Sequence, residues 1–318
     1  CRLFAVVIRC GWKGEEIMTQ ILARKKHGIP NGSRLVDVLI VIAVAVICLF
    51  TLYPMYYVFI MSISKPQDVL AMNVSFWPTG FELQAYKKIF TDSDMWRAYG
   101  NSILYTVSTT VLVIITSVMG AYPLSVPELR GRKYVVAFVL LPMYFGGGLI
   151  PTFLLMSKLN LYNNIFAIIV PASFNIWYII LTRTYFTGLP RDIRESAFID
   201  GASNFTVLRR IYLPLAKPIL AVVSIYSIVT MWNNWFAAQV YLPDKNLHPL
   251  QLYLKRVLVA QTVDLINSAD IENAMNQMLS ATQMQYAMII FTTLPIIFTY
   301  PFFQKYFIKG VMLGSLKG

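Results

Sequence analysis

A polar stretch of thirty residues interrupts a chain in which 57% of the residues are hydrophobic. It runs from Leu189 to Pro218 and reads LPRDIRESAFIDGASNFTVLRRIYLPLAKP. Glu195 offers a carboxylate in a helical pattern, and Gly201 can take a left-handed backbone without a Cβ clash. A carboxylate on a helix beside a glycine turn is typical of a surface that contacts another protein. The stretch predicts two short helices at a glycine elbow, which another protein could grip.

Local signals define both helices. Pro190 suits the first helical position, and Ser203 or Asn204 can cap the second helix. We expect Pro214 to end the second helix, because proline disrupts a helix interior. The apolar face of the second helix is expected to contain Phe205, Leu208, Ile211 and Tyr212.

A second group of residues has the chemistry of carbohydrate binding. The stretch MWNNWF, residues 231–236, supplies aromatic faces for stacking and amides for hydrogen bonds to hydroxyl groups. Asn175 and Tyr178, in an earlier apolar stretch, are assigned to the same pathway. The predicted lining residues are Trp232, Asn233, Asn234, Trp235, Asn175 and Tyr178. The alternative for the two tryptophans is anchoring at a membrane interface.

Other chemistries are excluded by what the sequence lacks. It contains no GxxxxGK loop, so the chain cannot hydrolyse ATP by itself. It has no Ser/His/Asp, Cys/His or paired-carboxylate arrangement in an apolar stretch, so we predict no enzyme and no catalytic residue. The only histidines are His27 and His248, and the three cysteines have no metal-type spacing, so no metal site is expected.

The composition predicts an all-α membrane protein with six spans. Only 13% of the residues are charged, and the mean hydropathy is +0.59. A helix needs roughly 20 apolar residues to cross a bilayer. Six stretches meet this need, the fourth being the shortest: Leu35–Met61, Ile103–Val126, Tyr134–Met156, Ile165–Leu181, Ile219–Val240 and Tyr286–Phe307.

The basic residues predict the orientation of these spans. With the N-terminus inside, 19 of the 27 lysines and arginines fall on cytoplasmic segments and 8 on outer segments. Since cytoplasmic loops retain positive charge, both termini and residues 189–218 are expected in the cytoplasm. The basic residues flank spans and form no stripe with interleaved aromatics, which excludes nucleic acid as a partner.

Energy for any transport is expected from outside the membrane. Asp37 is the only carboxylate inside the six stretches, whereas ion-coupled transporters usually place carboxylates or bases near the midplane. Two alternatives stay open. One is a secondary transporter or channel, and the other is a membrane interaction or sensory protein that docks a signalling partner.

Two segments predict special structure. LLPMYFGGGLIP in the third stretch frees backbone groups, either at a simple kink or at a break that lines a polar cavity. The outer segment from Tyr241 to Met284 alternates apolar and polar residues in its first half, and we expect an ordered binding surface there.

The polar stretch resembles the EAA loop of ABC importer permeases. The family's glutamate, alanine and glycine match Glu195, Ala197 and Gly201, and I-x-L-P follows at the family spacing, while the middle alanine is Ser196 here. The resemblance assigns ATPase coupling to Glu195, Ala197, Asp200, Gly201, Ile211, Leu213 and Pro214. WNNWFAAQVYL and HPLQLYL are similar to the carbohydrate-uptake branch, and GGGLIPTFLLMSKLNLYNNIFAIIVP is closer to its subgroup for uronate-containing and complex oligosaccharides, alginate among them.

The resemblance implies a type I importer permease with cytoplasmic coupling helices in a bacterial cytoplasmic membrane. It implies import of oligosaccharides by alternating access. The expected partners are a second homologous permease, two copies of an ABC ATPase, an extracytoplasmic solute-binding protein and membrane lipid. The ATPases would bind ATP and magnesium, and no cofactor is expected in this chain. An acidic substrate gains no support from the outer segments, which carry 8 basic and 8 acidic residues.

The expected organisation has three parts. Residues 1–34 form a basic cytoplasmic arm, of which 1–17 are interpreted as an upstream extension because Met18 is a plausible native start. Residues 35–309 form the transmembrane domain with the coupling loop 189–218. Residues 310–318 form a cytoplasmic tail that, by resemblance, enters the ATPase dimer. Its assigned contacts are Gly310, Gly314, Lys317 and Gly318.

Overall fold

The structure, a computed structural model, describes residues 31–267, 281–299 and 301–302. The N-terminal arm before residue 31, the end of the sixth apolar stretch and the C-terminal tail lie outside the described residues. The roles assigned to Gly310, Gly314, Lys317 and Gly318 therefore stay predictions.

The chain divides into two compact units, residues 1–57 and 58–318. The described part of the first unit belongs to helix α1, Asn31–Ile63. Its large apolar side chains, such as Leu39 and Phe50, are exposed. This is the pattern of a helix that meets lipid or a partner chain rather than a core, since an apolar surface of this extent is rare on soluble proteins.

Every regular element in the described residues of the second unit is helical. The short helices before the central one are α2, Pro66–Leu70, and α3, Gln84–Thr91. The later helices are α4 (Ser93–Ser125), α5 (Arg132–Tyr144), α6 (Leu149–Lys158), α7 (Phe166–Ser173), α8 (Ile176–Thr187), α9 (Arg191–Ile199), α10 (Asn204–Leu215), α11 (Lys217–Trp232), α12 (Phe236–Tyr241), α13 (Leu250–Asn267) and α14 (Ala281–Thr299).

The described helices supply four to six membrane spans. Four segments are long and apolar enough to cross a bilayer: Leu35–Ile63, Ser93–Ser125, Phe166–Thr187 and Ala281–Thr299. Two bent pairs raise the number to six when each is one span: α5 with α6, bent by 108°, and α10 with α11, bent by 76°. The count of six thus depends on these two pairs.

Helix α4 is the central helix of the second unit. Asp92 caps its first turn by accepting hydrogen bonds from the backbone N–H groups of Asp94 and Met95, at 2.9 and 3.3 Å. Helices α7, α8, α11 and α13 all pack along it. Its buried face alternates small and larger side chains, which allows close approach of neighbouring helices. Buried members include Ala98, Ser102, Tyr105, Thr109, Val113, Ser117 and Ala121.

Three predicted boundaries are wrong. The second span begins at Ser93 rather than Ile103, because the Asp92 cap starts the helix earlier. The third is not continuous: α5 and α6 are separated by an exposed segment, residues 145–148, in which Gly148 has φ +81°. A role of this break in lining a polar cavity stays a prediction.

The fifth predicted span ends early, at Trp232 rather than Val240. Asn233 and Asn234 explain the stop, because asparagine side chains compete with helix hydrogen bonds. Asn233 Nδ2 donates to the carbonyl of Val229 at 2.9 Å, and Asn234 Oδ1 accepts from the N–H of Ala237 at 3.3 Å. A new short helix, α12, then begins at Phe236.

A buried glutamine joins α14 to the segment that follows α1. Gln283 is 2% exposed, and its Nε2 donates to the carbonyl oxygens of Ser64 and Glu82, both at 2.9 Å. Around this contact, α3, α4, α13 and α14 share an apolar cluster that includes Ile89 and Met288. The Gln283 side chain thus connects α14 with residues about 200 positions earlier in the chain.

We predict that Gln283→Leu, which keeps the side chain's bulk, leaves two carbonyl oxygens unpaired. The free energy of unfolding should fall by about 1–3 kcal/mol, the usual effect of an orphaned buried polar group. Thermal unfolding of the purified protein in detergent measures this. Gln84→Leu, at an exposed position, is the matched control. Equal unfolding temperatures for the two variants would contradict the assignment.

Candidate functional site

The elbow in the polar stretch has the predicted glycine geometry. Helix α9 ends in paired hydrogen bonds, from the N–H of Ala202 to the carbonyl of Ala197 at 2.9 Å and from the N–H of Gly201 to the carbonyl of Phe198 at 3.0 Å. Gly201 has φ +79° in this motif, a region that favours glycine. Ser203 Oγ then caps α10 by accepting from the N–H of Thr206 at 3.3 Å. We call residues 191–215, with this elbow, the knob.

The inner face of the knob packs on the ends of two long helices. Tyr212 is 7% exposed, and its ring meets the edges or faces of Tyr122 from α4 and Phe186 from α8 in T-shaped pairs with centroid distances of 5.1 and 5.2 Å. Val207 is fully buried in the same cluster. Helix α10 leads into α11 with only Ala216, itself buried, between them. The knob is therefore tied to three helices of the bundle.

An ion pair holds α9 to the turn after α4. Arg194 Nη1 donates to Glu128 Oε2 at 2.7 Å, and the guanidinium lies 4.9 Å from the centroid of the Phe198 ring. The pKa of Glu128 is lowered by a hydrogen bond to its own backbone and by Arg194. Burial alone would lower the pKa of Arg194, but Glu128 outweighs it and the pKa is raised. Arg194 thus positions the knob.

The outer surface of the knob is exposed and mixed in character. Glu195 is exposed and takes part in neither ion pair of the described residues. Ile199 and Phe205, on either side of the elbow, are 86% and 70% exposed. The prediction that Phe205 lies on the inner apolar face is wrong, whereas Leu208, Ile211 and Tyr212 are in the cluster.

The remaining coupling residues lie in or at the ends of the two helices of the knob. Ala197 is half-buried against the cluster, and Asp200 is the exposed last residue before the elbow. Pro214 does not end the second helix as predicted. The helix changes to a π-helical turn at Leu208–Tyr212 and runs on to Leu215, so Pro214 lies in the first turn of a new α-helical segment, where its missing N–H is tolerated. Leu213 is half-buried in the same turn.

Three of the six residues assigned to a pathway meet in one cleft. Asn175, Tyr178 and Asn234 line a cavity of about 100 Å³ between α4, α8 and α11. The cleft also contains residues that the sequence analysis missed, namely Thr109, Ala172, Ser227, Thr230 and Met231. The spacing of Thr106, Thr109 and Thr110 in an apolar helix is the signal that could have identified its polar wall.

Thr109 gives this cleft an unused hydrogen-bonding group. Its side chain is 2% exposed, and Oγ1 has no hydrogen-bond partner among the described residues. Thr110 and Ser227, by contrast, pair with each other at 3.2 Å. Since a buried hydroxyl without a partner is costly, Thr109 is suited to a hydroxyl-bearing ligand or water in the cleft.

The other three assigned residues lie elsewhere. Trp232 is 4% exposed; its Nε1 donates to the carbonyl of Thr292 at 3.1 Å, and its ring packs edge-on against Tyr99. This is a packing role between α11, α14 and α4. Asn233 is exposed outside the cleft, and Trp235 is partly exposed beside Lys255. Trp232 and Asn233 therefore do not line this cleft, and their assignment to the pathway stays a prediction.

No group of three metal-ligating side chains is close enough to hold a metal ion within residues 31–267, 281–299 and 301–302. The described residues form instead an exposed knob, a helical bundle and a small polar cleft. This combination is that of a helical membrane protein with an exposed polar loop.

The sequence family agrees with this architecture. A family model for the inner membrane component of binding-protein-dependent transport systems matches residues 113–312, which include the knob and every residue of the cleft except Thr109. The chain belongs to this family. It is a transport permease, and relatives of this kind are non-catalytic membrane subunits. The all-α permease fold is confirmed, and neither alternative function receives support.

Individual relatives cover nearly the whole chain. Protein LplC of Bacillus subtilis (strain 168) is 34% identical over 288 residues, which are 91% of this chain and 97% of LplC. The polygalacturonan/rhamnogalacturonan transport system permease protein YtcP of the same strain is 32% identical, over 90% of this chain and 99% of its own length.

A solved structure has the same fold. A chain of a bacterial ABC transporter involved in the import of the acidic polysaccharide alginate matches with a TM-score of 0.77 at 33% sequence identity. The match covers 88% of this chain and 99% of that chain.

We predict that Arg194 and Glu128 stabilise the fold jointly, with a coupling of about 0.2–1 kcal/mol because Glu128 is 63% exposed. The folded-state pKa of Glu128 lies below its ordinary value of about 4.3. The coupling should therefore be complete above pH 4.3 and disappear as the pH falls through the lower folded value. A double-mutant cycle of Glu128→Gln and Arg194→Met, followed by thermal unfolding at several pH values, measures it.

The exposed Arg209 provides the control, because Arg209→Gln should show no coupling to Glu128→Gln. A coupling indistinguishable from zero at pH 7 for the Arg194 cycle would refute the positioning role.

Proposed function

We propose that this chain is one of two membrane subunits of an ATP-driven importer of oligosaccharides. The observation that carries the proposal is the knob: its inner face packs on α4 and α8 and continues into α11, while its outer face is exposed. A surface of this kind suits a second protein that moves the bundle. Oligosaccharide is proposed as the substrate class because the relative YtcP belongs to a polygalacturonan/rhamnogalacturonan transport system and the similar solved structure is of an alginate importer.

The partners follow from this proposal. Two ATPase copies bind ATP and magnesium, and one of them receives the knob of this chain. A second permease covers exposed apolar helices, and a solute-binding protein delivers the sugar from outside. The distribution of basic residues supports a cytoplasmic knob and cytoplasmic termini.

The contact with the ATPase combines a charge with apolar area. Glu195 presents a carboxylate to a basic group of the ATPase, and Ile199 with Phe205 supplies exposed apolar surface on both sides of Gly201. Desolvated charge pairs surrounded by apolar contacts are typical of residues that dominate interfaces. The elbow holds the two helices at the angle that brings these side chains together.

The polar cleft is proposed as part of the sugar pathway. Asn175, Asn234 and Thr109 offer amide and hydroxyl groups, and Tyr178 offers an aromatic edge. Sugar hydroxyls match these donors and acceptors without requiring any charge. In alternating access, motion of the knob changes the separation of α8 and α11, which form opposite walls of this cleft.

Glu195→Gln tests the ATPase contact. Removing one partner of a buried interfacial charge pair costs about 2–5 kcal/mol, so the affinity for the ATPase should fall roughly 30-fold or more. Co-purification of the ATPase with the permease pair, together with sugar-stimulated ATP hydrolysis, provides the measurement. Asp68→Asn, which replaces a carboxylate in the outer helix α2, is the matched control. It should change neither ATPase binding nor sugar-stimulated ATP hydrolysis. If Glu195→Gln bound the ATPase as tightly as the wild type does, the proposed contact would be contradicted.

Gly201 allows a separate test of the elbow. A Cβ at this position meets nothing within 4 Å, so the effect of a substitution comes from the backbone alone. Asparagine tolerates positive φ and valine does not. Gly201→Asn should therefore retain most sugar uptake, whereas Gly201→Val should lose it while the permease pair still assembles. Equal uptake by the two variants would mean that the elbow angle is unimportant.

The cleft is tested by exchanging its amides for carboxylates. Asn175→Asp and Asn234→Asp keep the oxygens that cap α8 and α12, but they remove the amide donors. Uptake per assembled complex should fall at least several-fold, because the donor to a sugar hydroxyl is lost. Asn160→Asp, at an exposed position outside the cleft, is the control. If all three variants transported alike, the cleft would have no place in the pathway.

A further inference from the structure

A second cavity contains the cations that the sequence alone did not place near a pathway. It has a volume of about 370 Å³ and is lined by Gln239, His248, Leu252, Lys255, Arg256 and Val259. Small-molecule pockets usually have volumes of about 300–1,000 Å³. The size therefore suits one or two sugar units.

Both cations of this cavity are held in place while donors remain free. Lys255 Nζ donates to Gln239 Oε1 at 2.8 Å and lies 3.6 Å from the centroid of the Trp235 ring. An ammonium group has three donors, and within the described residues only one of them has a hydrogen-bond partner. Arg256 Nη1 lies 3.4 Å from His248 Nδ1, and its guanidinium lies 5.5 Å from the Tyr253 ring. Most of its five donors therefore have no partner in the part of the chain that the structure describes.

The histidine orients Arg256 without adding charge. His248 Nε2 lies 2.9 Å from the carbonyl of Leu242, so the nitrogen that carries the proton is Nε2 and Nδ1 is an acceptor. Burial and, to a smaller extent, the neighbouring Arg256 lower the pKa of His248. The ring is neutral at neutral pH, and the positive charge of the cavity comes from Lys255 and Arg256.

Nearby carboxylates are engaged elsewhere. Asp92 caps α4 and accepts from the hydroxyl of Tyr253. Asp94 pairs with Arg97 at 3.2 Å, and Asp244 accepts from both the backbone and the side-chain amide of Asn246 at 2.9 and 3.0 Å. Neither Lys255 nor Arg256 belongs to an ion pair of the described residues. Although the outer segments carry balanced charge, the two cations of this cavity have no carboxylate partner among the described residues.

The cavity and the polar cleft lie beside neighbouring residues of the chain. Asn234 lines the cleft, and the next residue, Trp235, has Lys255 on its ring. At the cavity an aromatic ring, an amide and two cations lie together. An aromatic face beside an amide suits a sugar ring, and two free cations suit a carboxylate.

We propose that the cavity at Lys255 and Arg256 binds the carboxylate of an acidic sugar, a uronate, on its way to the cleft. This inference rests on the proposed function as an oligosaccharide importer and adds the recognition of acidic substrates. Arg256 binds the carboxylate, Lys255 adds a second charge beside Trp235, and His248 and Gln239 are positioning residues.

The test measures binding to the complete importer in nanodiscs without the solute-binding protein. The probes are trigalacturonate and trimannuronate, each with its uncharged methyl ester, in equilibrium dialysis. For at least one uronate, Lys255→Gln combined with Arg256→Gln should weaken binding of the acid at least tenfold, since two charge-assisted contacts are lost. Binding of the ester should change little. Arg256→Lys should recover part of the affinity.

Lys245→Gln, an exposed cation outside the cavity, is the matched control and should bind the acid like the wild type. Equal unfolding temperatures of the variants exclude loss of fold. The proposal is overturned if neither uronate binds the wild type, or if the double variant binds both acids normally.

A further arm separates a sugar carboxylate from an acidic side chain of the solute-binding protein. If the double variant loses docking of the sugar-free binding protein while its uronate affinity is unchanged, the cavity is a protein contact and the proposal fails. The importer assignment fails differently. In that case the wild type would bind uronate, but sugar delivery would stimulate no ATP hydrolysis, and the cavity would still stand.

Discussion

The packing of Tyr212 between Tyr122 and Phe186 is the interaction on which the rest of the account depends. A coupling loop can transmit motion only if its inner face moves together with the helices of the bundle. Aromatic pairs at 5.1 and 5.2 Å, with Val207 buried beside them, give the knob a close-packed base. Close-packed interiors deform little, so displacement of the outer face is passed to α4 and α8 rather than absorbed.

Helix α4 then links the two proposed sites. Tyr122 belongs to the base of the knob, and Thr109 lies on the wall of the cleft. These residues are 13 positions apart on one helix, which is about 20 Å at 1.5 Å per residue. The small polar side chains along α4 let α8 and α11 pack closely on it. A rotation of the knob therefore reaches the cleft through continuous helices and needs no flexible connection.

The parts of this architecture that depend on neighbours in sequence were predictable. Gly201, Ser203 and the helix ends on both sides follow local rules of turns and caps, and the structure has them as expected. The helical type of the spans followed from hydropathy, and four of the six predicted stretches correspond to helical segments long and apolar enough to cross a bilayer. Phe205 was predicted on the apolar face because its helical spacing groups it with Leu208, Ile211 and Tyr212. Spacing does not show that the chain turns away from the bundle at this residue. Its exposed ring is a feature of an interface, and hydropathy alone does not distinguish interface from core.

Contacts between residues that are distant in the chain could not be predicted from the sequence. Trp232 has the composition of a sugar platform, yet its Nε1 bonds with the carbonyl of Thr292, sixty positions away, and this makes it a packing residue. The cations Lys255 and Arg256, which belong to no ion pair among the described residues, could not be identified for a related reason. A count of charges treats every carboxylate as equally available, while the fold commits Asp92, Asp94 and Asp244 to helix caps, turns and a local ion pair.

The central claim, that the base of the knob couples the ATPase to the bundle, is tested most directly by the ratio of sugar imported to ATP hydrolysed. The variant is Tyr212→Leu in the reconstituted importer, with Tyr134→Leu, at an exposed ring on α5, as control. The account predicts that Tyr212→Leu still binds the ATPase through the unchanged outer face and hydrolyses ATP, but imports much less sugar per ATP. An unchanged ratio with the aromatic base removed would contradict it.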